Sequence, residues 1–279
     1  MRLTDEQVRQ YDEDGYVVLH GILTPAEVRL LQAEAEILRT DQRGHPDANV
    51  YEKDGVSLRA AWCVEMDSEA CRLAMSMQRI FGPVRQLMGE KAYLYQSRLN
   101  YKVAGRGDVF QWHQDYGSWV EDGVPSGAHR QMLSVLVMLD DTEHESGPLR
   151  IIPGSHKAGL IRSKYDTETT SYALHVVPDE EVDRLSKEGG MVECTGKAGT
   201  VMIFGSLLVH GSQQNISKND RRNLYFAYNV DDNLPDPNYP RRKHACPYIM
   251  SPETGPLEFS SDVDLLQIAN RKRLTAAPA

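Results

Sequence analysis

From residue 92 onward the chain consists of short runs rich in β-branched and aromatic residues, each punctuated by Gly, Pro, Asp or Asn. The runs fall at 92–103, 109–116, 133–140, 149–152, 200–204 and 223–230. Strand runs at this density predict an antiparallel sandwich or barrel. One short helical stretch, about 178–188, interrupts them.

The part before residue 90 reads differently. Thr4-Asp5-Glu6-Gln7 is a capping box that opens a short helix ending at Gly15, and Tyr16-Val17-Val18-Leu19 reads as a strand. Thr24-Pro25-Ala26-Glu27 is a second capping box with proline at the first helical position. Val28, Leu31, Ala35 and Leu38 follow at helical spacing, which predicts an amphipathic helix over 25–40. A further helical stretch is expected over about 67–88, broken at Gly82-Pro83. The expected fold class is α+β: a single domain over 1–279, with a helical part, about 1–90, packed on a β core, about 91–279.

Charge and cysteine usage narrow the partners. Lys plus Arg number 31 against 40 Asp plus Glu, a net charge of −9 that repels a phosphate backbone. The basic stretches Arg241-Arg242-Lys243 and Arg271-Lys272-Arg273 lack interleaved aromatics and read as solvated surface. No apolar run reaches the roughly 18 residues of a membrane span, and MRLTDEQVRQ lacks the apolar core of a signal peptide. Cys63, Cys71, Cys194 and Cys246 are dispersed without a CxxC pair, as expected of reduced thiols in a cytoplasmic protein. The expectation is a monomer or homodimer with a small-molecule substrate, and no nucleic-acid or membrane partner.

The chemistry concentrates at Trp112-His113-Gln114-Asp115. Residues i and i+2 of a strand share a face, so His113 and Asp115 are expected to converge there. His210, read as the end of an apolar strand and followed by Gly211, is the candidate third ligand. Two histidines and one carboxylate form the facial triad of non-haem Fe(II) oxygenases. The bland reading is a chance HxD tripeptide and a core histidine. Arg221 lies eleven residues after His210 and shares strand parity with Asn223, Tyr225, Ala227 and Asn229. A buried arginine there suits the far carboxylate of a 2-oxo acid, whereas an exposed one is an ordinary turn residue. Gln96, Arg98, Asn100 and Lys102 share one strand face, with Tyr95, Leu99 and Tyr101 on the other. The polar face is either solvated or the wall of a pocket for a small charged ligand.

Taken in order, the blocks DGYVVLHGILTPAEV, YQSRLNYK, WHQDYGSWVEDGVP, SGPLRIIPGSHK, TGKAGTVMIF, VHGSQQNIS and DRRNLYFAYN span most of the chain. Together they resemble the phytanoyl-CoA dioxygenase superfamily of Fe(II)/2-oxoglutarate oxygenases, in motifs closest to ectoine hydroxylases and hydroxylases of free amino acids. The resemblance implies a double-stranded β-helix (jelly roll, cupin-like) core with N-terminal helices packed on it. It implies Fe(II), 2-oxoglutarate as cosubstrate and O2, and the hydroxylation of an aliphatic C–H with release of succinate and CO2. It makes His113, Asp115 and His210 the catalytic iron ligands, and places Arg221, Lys102 and Ser212 on 2-oxoglutarate. It places Gln96 and Trp119 on the substrate, with Asn100 and Asn229 as further pocket residues. Asp115 supplies the carboxylate that related halogenases lack, which favours hydroxylation. Gln114 and Tyr116 stand where ectoine hydroxylases usually carry Ser and Phe, and the tail from Asp236-Pro237-Asn238-Tyr239-Pro240 is unlike theirs.

The substrate implied is a small polar metabolite: a free amino acid, an ectoine-like compound or a natural-product precursor. Two alternatives stand beside it. One is the same chemistry on a larger acyl, terpenoid or peptide substrate; the other is a non-oxidative metal-binding β-barrel. The polar stretch 155–200, with Tyr165, Thr167 and Thr169, reads as a lid over the site or as a surface loop.

Overall fold

The computed structural model describes residues 1–40, 48–170, 173–239, 250–251, 254–261, 265 and 267–268. The helices are α1 (Asp5–Asp14), α2 (Pro25–Thr40), α3 (Val64–Asp67), α4 (Glu69–Ser76), α5 (Gln78–Met88), α6 (Asp115–Trp119) and α7 (Asp179–Gly189). The strands are β1 (Tyr16–Leu19), β2 (Asn49–Tyr51), β3 (Leu58–Trp62), β4 (Ala92–Lys102), β5 (Phe110–His113), β6 (Met132–Met138) and β7 (Leu149–Ile151). They continue with β8 (Lys164–Asp166), β9 (Leu174–Val176), β10 (Val192–Cys194), β11 (Val201–Gly205), β12 (His210–Ser212) and β13 (Arg221–Val230).

The N-terminal signals act as expected. The Thr4 hydroxyl accepts from the Gln7 amide, the Gln7 side chain answers the Thr4 amide, and Gly15 closes α1 in the left-handed region at φ 84°. Such a cap contributes about 1 kcal/mol. In α2, Val28, Leu31, Ala35 and Leu38 are buried together.

The strands form two antiparallel sheets. The larger is ordered β1-β11-β6-β13-β4-β3-β2 and the smaller β10-β7-β12-β5-β9-β8. Strand alternation then decides which residues face which layer. From β6, Leu133, Val135 and Val137 pack outward with the N-terminal helices, while Leu136 and Met138 pack inward. Leu149, Ile151, Met202, Phe204 and Tyr225 join that inward cluster and tie the two sheets together. The result is the jelly-roll core with helices on one face that the resemblance implied.

Three local expectations need correction. The helical stretch breaks at Met77 and not at Gly82-Pro83, which lies inside α5. A proline six residues into a helix removes one bond, whereas Met77 is held extended by bridging Ser260, whose amide donates to the Ser76 carbonyl at 3.0 Å. The run 109–116 stops being strand at His113, and Asp115 opens α6. The segment 155–200 is largely framework: it supplies β8, β9 and β10 to the smaller sheet, and His113 pairs with Val176 of β9. Residues 171–172 of that segment lie outside the described residues.

Cys63, Cys71 and Cys194 are buried. Cys246 and both basic stretches lie outside the described residues. Among the described residues no helix is long and apolar enough to cross a membrane.

Candidate metal centre

His113 ends β5 and His210 begins β12, directly opposite each other in the ladder. Facing residues of an antiparallel pair present their side chains on the same side, and the two rings lie 4.1 Å apart between centroids. Asp115 reaches the same point from the first turn of α6. That turn is fixed by Gln114, whose amide donates to the carbonyls of Leu207 (2.7 Å) and Gly159 (2.9 Å) and accepts from the Ile161 amide (2.9 Å). Gln114 therefore serves the framework, which is what its departure from the ectoine-hydroxylase pattern does here. Tyr116 likewise turns to the chain, its hydroxyl donating to the Val124 carbonyl at 3.1 Å.

The hydrogen bonds around the three groups leave one donor atom of each pointing to a common centre. His113 Nδ1 lies 2.7 Å from the Gln111 carbonyl and His210 Nδ1 lies 2.9 Å from the Leu208 carbonyl, so these nitrogens carry the protons. Each Nε2 is then a lone-pair donor, 3.8 Å from Asp115 Oδ1. Asp115 Oδ2 accepts from the Ser134 hydroxyl at 2.7 Å. The ligand atoms of all three lie within 4.8 Å of one another, and all three residues are buried.

Protonation states agree with this geometry. Burial, and then the neighbouring His210, push His113 down to about 3. Burial also holds His210 below the usual imidazole value. Burial pushes the Asp115 carboxyl up, while the Arg98 charge and the Ser134 hydroxyl favour its ionised form. Two neutral imidazoles and a carboxylate are the forms that ligate a metal.

The polar wall lies on the facing strands. β13 pairs with β4 so that Arg221 opposes Lys102, Asn223 opposes Asn100, Tyr225 opposes Arg98 and Ala227 opposes Gln96. Gln96, Asn100, Lys102 and Arg221 are all buried, so this face is interior and not solvated. The Arg221 Nε, the Asn100 Oδ1 and the Gln96 Nε2 have no hydrogen-bond partner among the described residues. Ser212 is buried in β12 opposite Phe110. The parity argument for Arg221 holds: Arg222 turns the other way and pairs with Asp140 at 2.7 and 2.9 Å.

Trp119 ends α6, buried, edge-on to Tyr95 with centroids 5.5 Å apart. Its indole N–H donates to Gln96 Oε1 at 3.0 Å. Tyr95, expected on the outer face, lies inside because a bulge shifts the register at this point: Ala227 opposes Gln96, and Tyr228 opposes Leu94. Asn229 is on the expected face, yet its amide is taken up by the turn after β13. It donates to the Tyr93 hydroxyl (3.0 Å) and the Asn233 carbonyl (2.8 Å) and accepts from Val230 and Asn233.

Two residues of the site, Ser134 and Arg59, were not singled out in the sequence, and Arg98 was read only as a member of the polar strand face. Ser134 has a signal, being the polar residue in the apolar strand MLSVLVM. Arg98 lies 3.9 Å from Asp115 Oδ1 and is flanked by the Trp62 and Tyr225 rings at 5.2 and 4.6 Å. Arg59 is turned inward by a bulge in β3, where Leu58 opposes Tyr51 and Ala60 opposes Val50.

A buried pair of imidazoles and a carboxylate inside a jelly roll, with polar groups arrayed on one side, defines a protein of the non-haem iron oxygenase class. Comparison with known proteins agrees. The phytanoyl-CoA dioxygenase (PhyH) family matches residues 11–223, and the chain belongs to that family. It is 33% identical to L-proline trans-4-hydroxylase of Streptomyces griseoviridis over 91% of this chain and 95% of that one. It is 31% identical to ectoine dioxygenase of Stutzerimonas stutzeri over 82% of this chain and 77% of that one. The crystal structure of EctD from S. alaskensis with 2-oxoglutarate and 5-hydroxyectoine superposes with a TM-score of 0.79 at 31% identity, covering 93% of this chain and 88% of that one.

Proposed function

We propose that His113, Asp115 and His210 hold the iron of an Fe(II)- and 2-oxoglutarate-dependent hydroxylase, and that Arg221 and Lys102 hold the cosubstrate. The observation that carries this reading is the convergence of three ligand atoms within 4.8 Å, beside a buried Arg221 whose Nε lacks a partner. The donor set fits iron: both second ring nitrogens are tied to carbonyls, which fixes the tautomer, and Asp115 keeps one oxygen for the metal. When bound, the iron with 2-oxoglutarate and O2 supplies the oxidising chemistry that hydroxylates an aliphatic C–H and yields succinate and CO2.

The chain's own residues do the rest. Arg221 offers a guanidinium fork to the far carboxylate of 2-oxoglutarate, and Ser212 of β12 belongs to the same cosubstrate end. Burial of the surrounding wall excludes water and strengthens each charge interaction. Trp119 takes the Gln96 oxygen, so Gln96 presents its N–H donors to the substrate while Asn100 presents an acceptor. Arg98 places a fixed cation beside the triad. Donors, an acceptor and a cation within an aromatic frame suit a small polar metabolite of the amino-acid or ectoine type.

Two expected outcomes test these roles. Ser134→Ala removes the donor to Asp115 Oδ2 and should weaken Fe(II) binding by about 10–100-fold, as measured by anaerobic titration. Unchanged iron affinity would show that Ser134 does not orient the ligand. Trp119→Phe keeps most of the ring but releases Gln96, and the lost hydrogen bond of about 0.5–1.5 kcal/mol should raise the substrate KM several-fold. The 2-oxoglutarate KM should stay put, and an equal rise in both would remove Gln96 from the substrate side. Trp119→Ala also empties a core position, at a cost of about 3–5 kcal/mol of stability.

The functional reading is tested by supplying the protein with Fe(II), 2-oxoglutarate, O2 and a panel that includes ectoine and L-proline. Succinate formation coupled to a product heavier by one oxygen atom is the expected result. Succinate without any oxygenated product from small polar compounds, but with one from a larger acyl compound, would transfer the assignment to a larger substrate.

A further inference from the structure

Three buried basic side chains act on one another at the Lys102 end of β4, where Arg221 opposes Lys102 in the ladder. Lys102, Arg221 and Arg59 are 2%, 2% and 1% exposed. The Lys102 amine donates to the Gln213 carbonyl. Arg59 donates to Glu52 at 2.9 Å and to the Val109 carbonyl at 2.7 Å, and its guanidinium lies 3.9 Å from the Phe110 ring centre. The charged groups around Lys102 are Arg221 from β13, Arg59 from β3, Glu52 after β2, and Asp108 before β5. Of these carboxylates, Glu52 is already bonded to Arg59 and also accepts from the Asp108 amide at 3.3 Å, while Asp108 turns back on the Val109 amide at 2.7 Å. An arginine keeps its proton under such conditions, whereas a buried lysine is the group that yields.

We propose that the binding of 2-oxoglutarate takes up one proton at Lys102, and that Arg59 is a positioning residue that enlarges the uptake. The proposal rests on the reading that the far carboxylate of 2-oxoglutarate occupies the Lys102–Arg221 corner. On this proposal the amine, buried and opposite Arg221 in the β13–β4 ladder, carries no proton in the free pocket. The arriving carboxylate reverses the local balance: the amine lone pair takes a proton from solvent, and the resulting ammonium faces the carboxylate. No other bond changes and nothing is oxidised or reduced. Burial, followed by the Arg221 and Arg59 charges, pushes Lys102 well below the usual lysine value, against Glu52 and Asp108.

The sign follows from linkage. Affinity is greatest below the lowered free value of Lys102. It falls by about tenfold per pH unit as pH rises from there towards the value Lys102 has in the complex.

The test is anaerobic calorimetric titration of the Fe(II)-loaded protein with 2-oxoglutarate, at one pH, in buffers of different ionisation enthalpy. The expected result is a binding heat that varies with the buffer in proportion to uptake of about one proton per site. Lys102→Arg carries a permanent charge and should abolish the buffer dependence. Arg59→Gln removes one cation and frees Glu52, so the amine keeps more of its proton in the free pocket and the uptake should shrink. Normal binding with a heat that ignores the buffer would overturn the proposal, as would an unchanged uptake in Lys102→Arg. Should that variant not fold, the wild type and Arg59→Gln decide. Failure of 2-oxoglutarate to bind the iron-loaded protein is a different outcome, because it overturns the functional reading beneath the proposal.

Discussion

Asp115→Ala is expected to release no succinate above background and to bind Fe(II) far more weakly than the parent, and His113→Ala and His210→Ala should behave alike. The reason is that, among the described residues, the site groups three candidate ligands and no spare. Removing a partner outside the metal shell, such as Ser134, already costs about 10–100-fold in affinity, so removing a ligand itself must cost more. The fold should survive, because the triad sits on strands and a turn that the Leu136, Met138, Ile151, Met202 and Phe204 cluster holds independently. Anaerobic iron titration and succinate release read out the two effects separately. A His210→Ala protein that keeps full activity without added imidazole would remove His210 from the metal.

Arg221→Ala should raise the 2-oxoglutarate requirement steeply and leave iron binding in place. A desolvated charge pair that loses one partner typically costs about 2–5 kcal/mol, or roughly 30- to several-thousand-fold in affinity. Arg222→Ala is the internal control. Its guanidinium pairs with Asp140 on the opposite side of β13, so its loss should lower stability by about 1–3 kcal/mol without touching the cosubstrate. Measured 2-oxoglutarate KM values together with melting curves separate the two. If Arg222→Ala damages cosubstrate use and Arg221→Ala is mild, the strand register assigned to the pocket is wrong by one residue.

The chemistry was more legible in the sequence than the backbone that delivers it. HxD followed at a distance by HG picks out the three residues that converge, because only a few side chains can hold a metal and they stand in short motifs. The strand parity that put Arg221 inside depended on local alternation alone, and β13 keeps it. Asp115 converges with His113 for a different reason from the one expected: it rides on the first turn of α6, whose position is set by Gln114 bonding to Gly159, Ile161 and Leu207. Such long-range anchors leave no local trace. Bulges are hidden for the same reason. Whether Tyr95 and Arg59 face in or out depends on the partner strand skipping a residue, and neither strand shows that in its own pattern. Asn229 illustrates the converse. Its parity was right, but Asn233 four residues later captures its amide. The helix break at Met77 is set by Ser260, far along the chain.

The central claim is that iron at His113, Asp115 and His210 couples 2-oxoglutarate turnover to oxygenation of a small polar metabolite. It is tested most directly by measuring succinate and oxygenated product together in one reaction, with Fe(II) supplied and ectoine, L-proline and related compounds offered in turn. The account predicts that one of these compounds raises succinate release well above the substrate-free level, with product and succinate formed one for one and both lost in Asp115→Ala. Succinate release that no small polar compound stimulates, or that persists undiminished in Asp115→Ala, would contradict it.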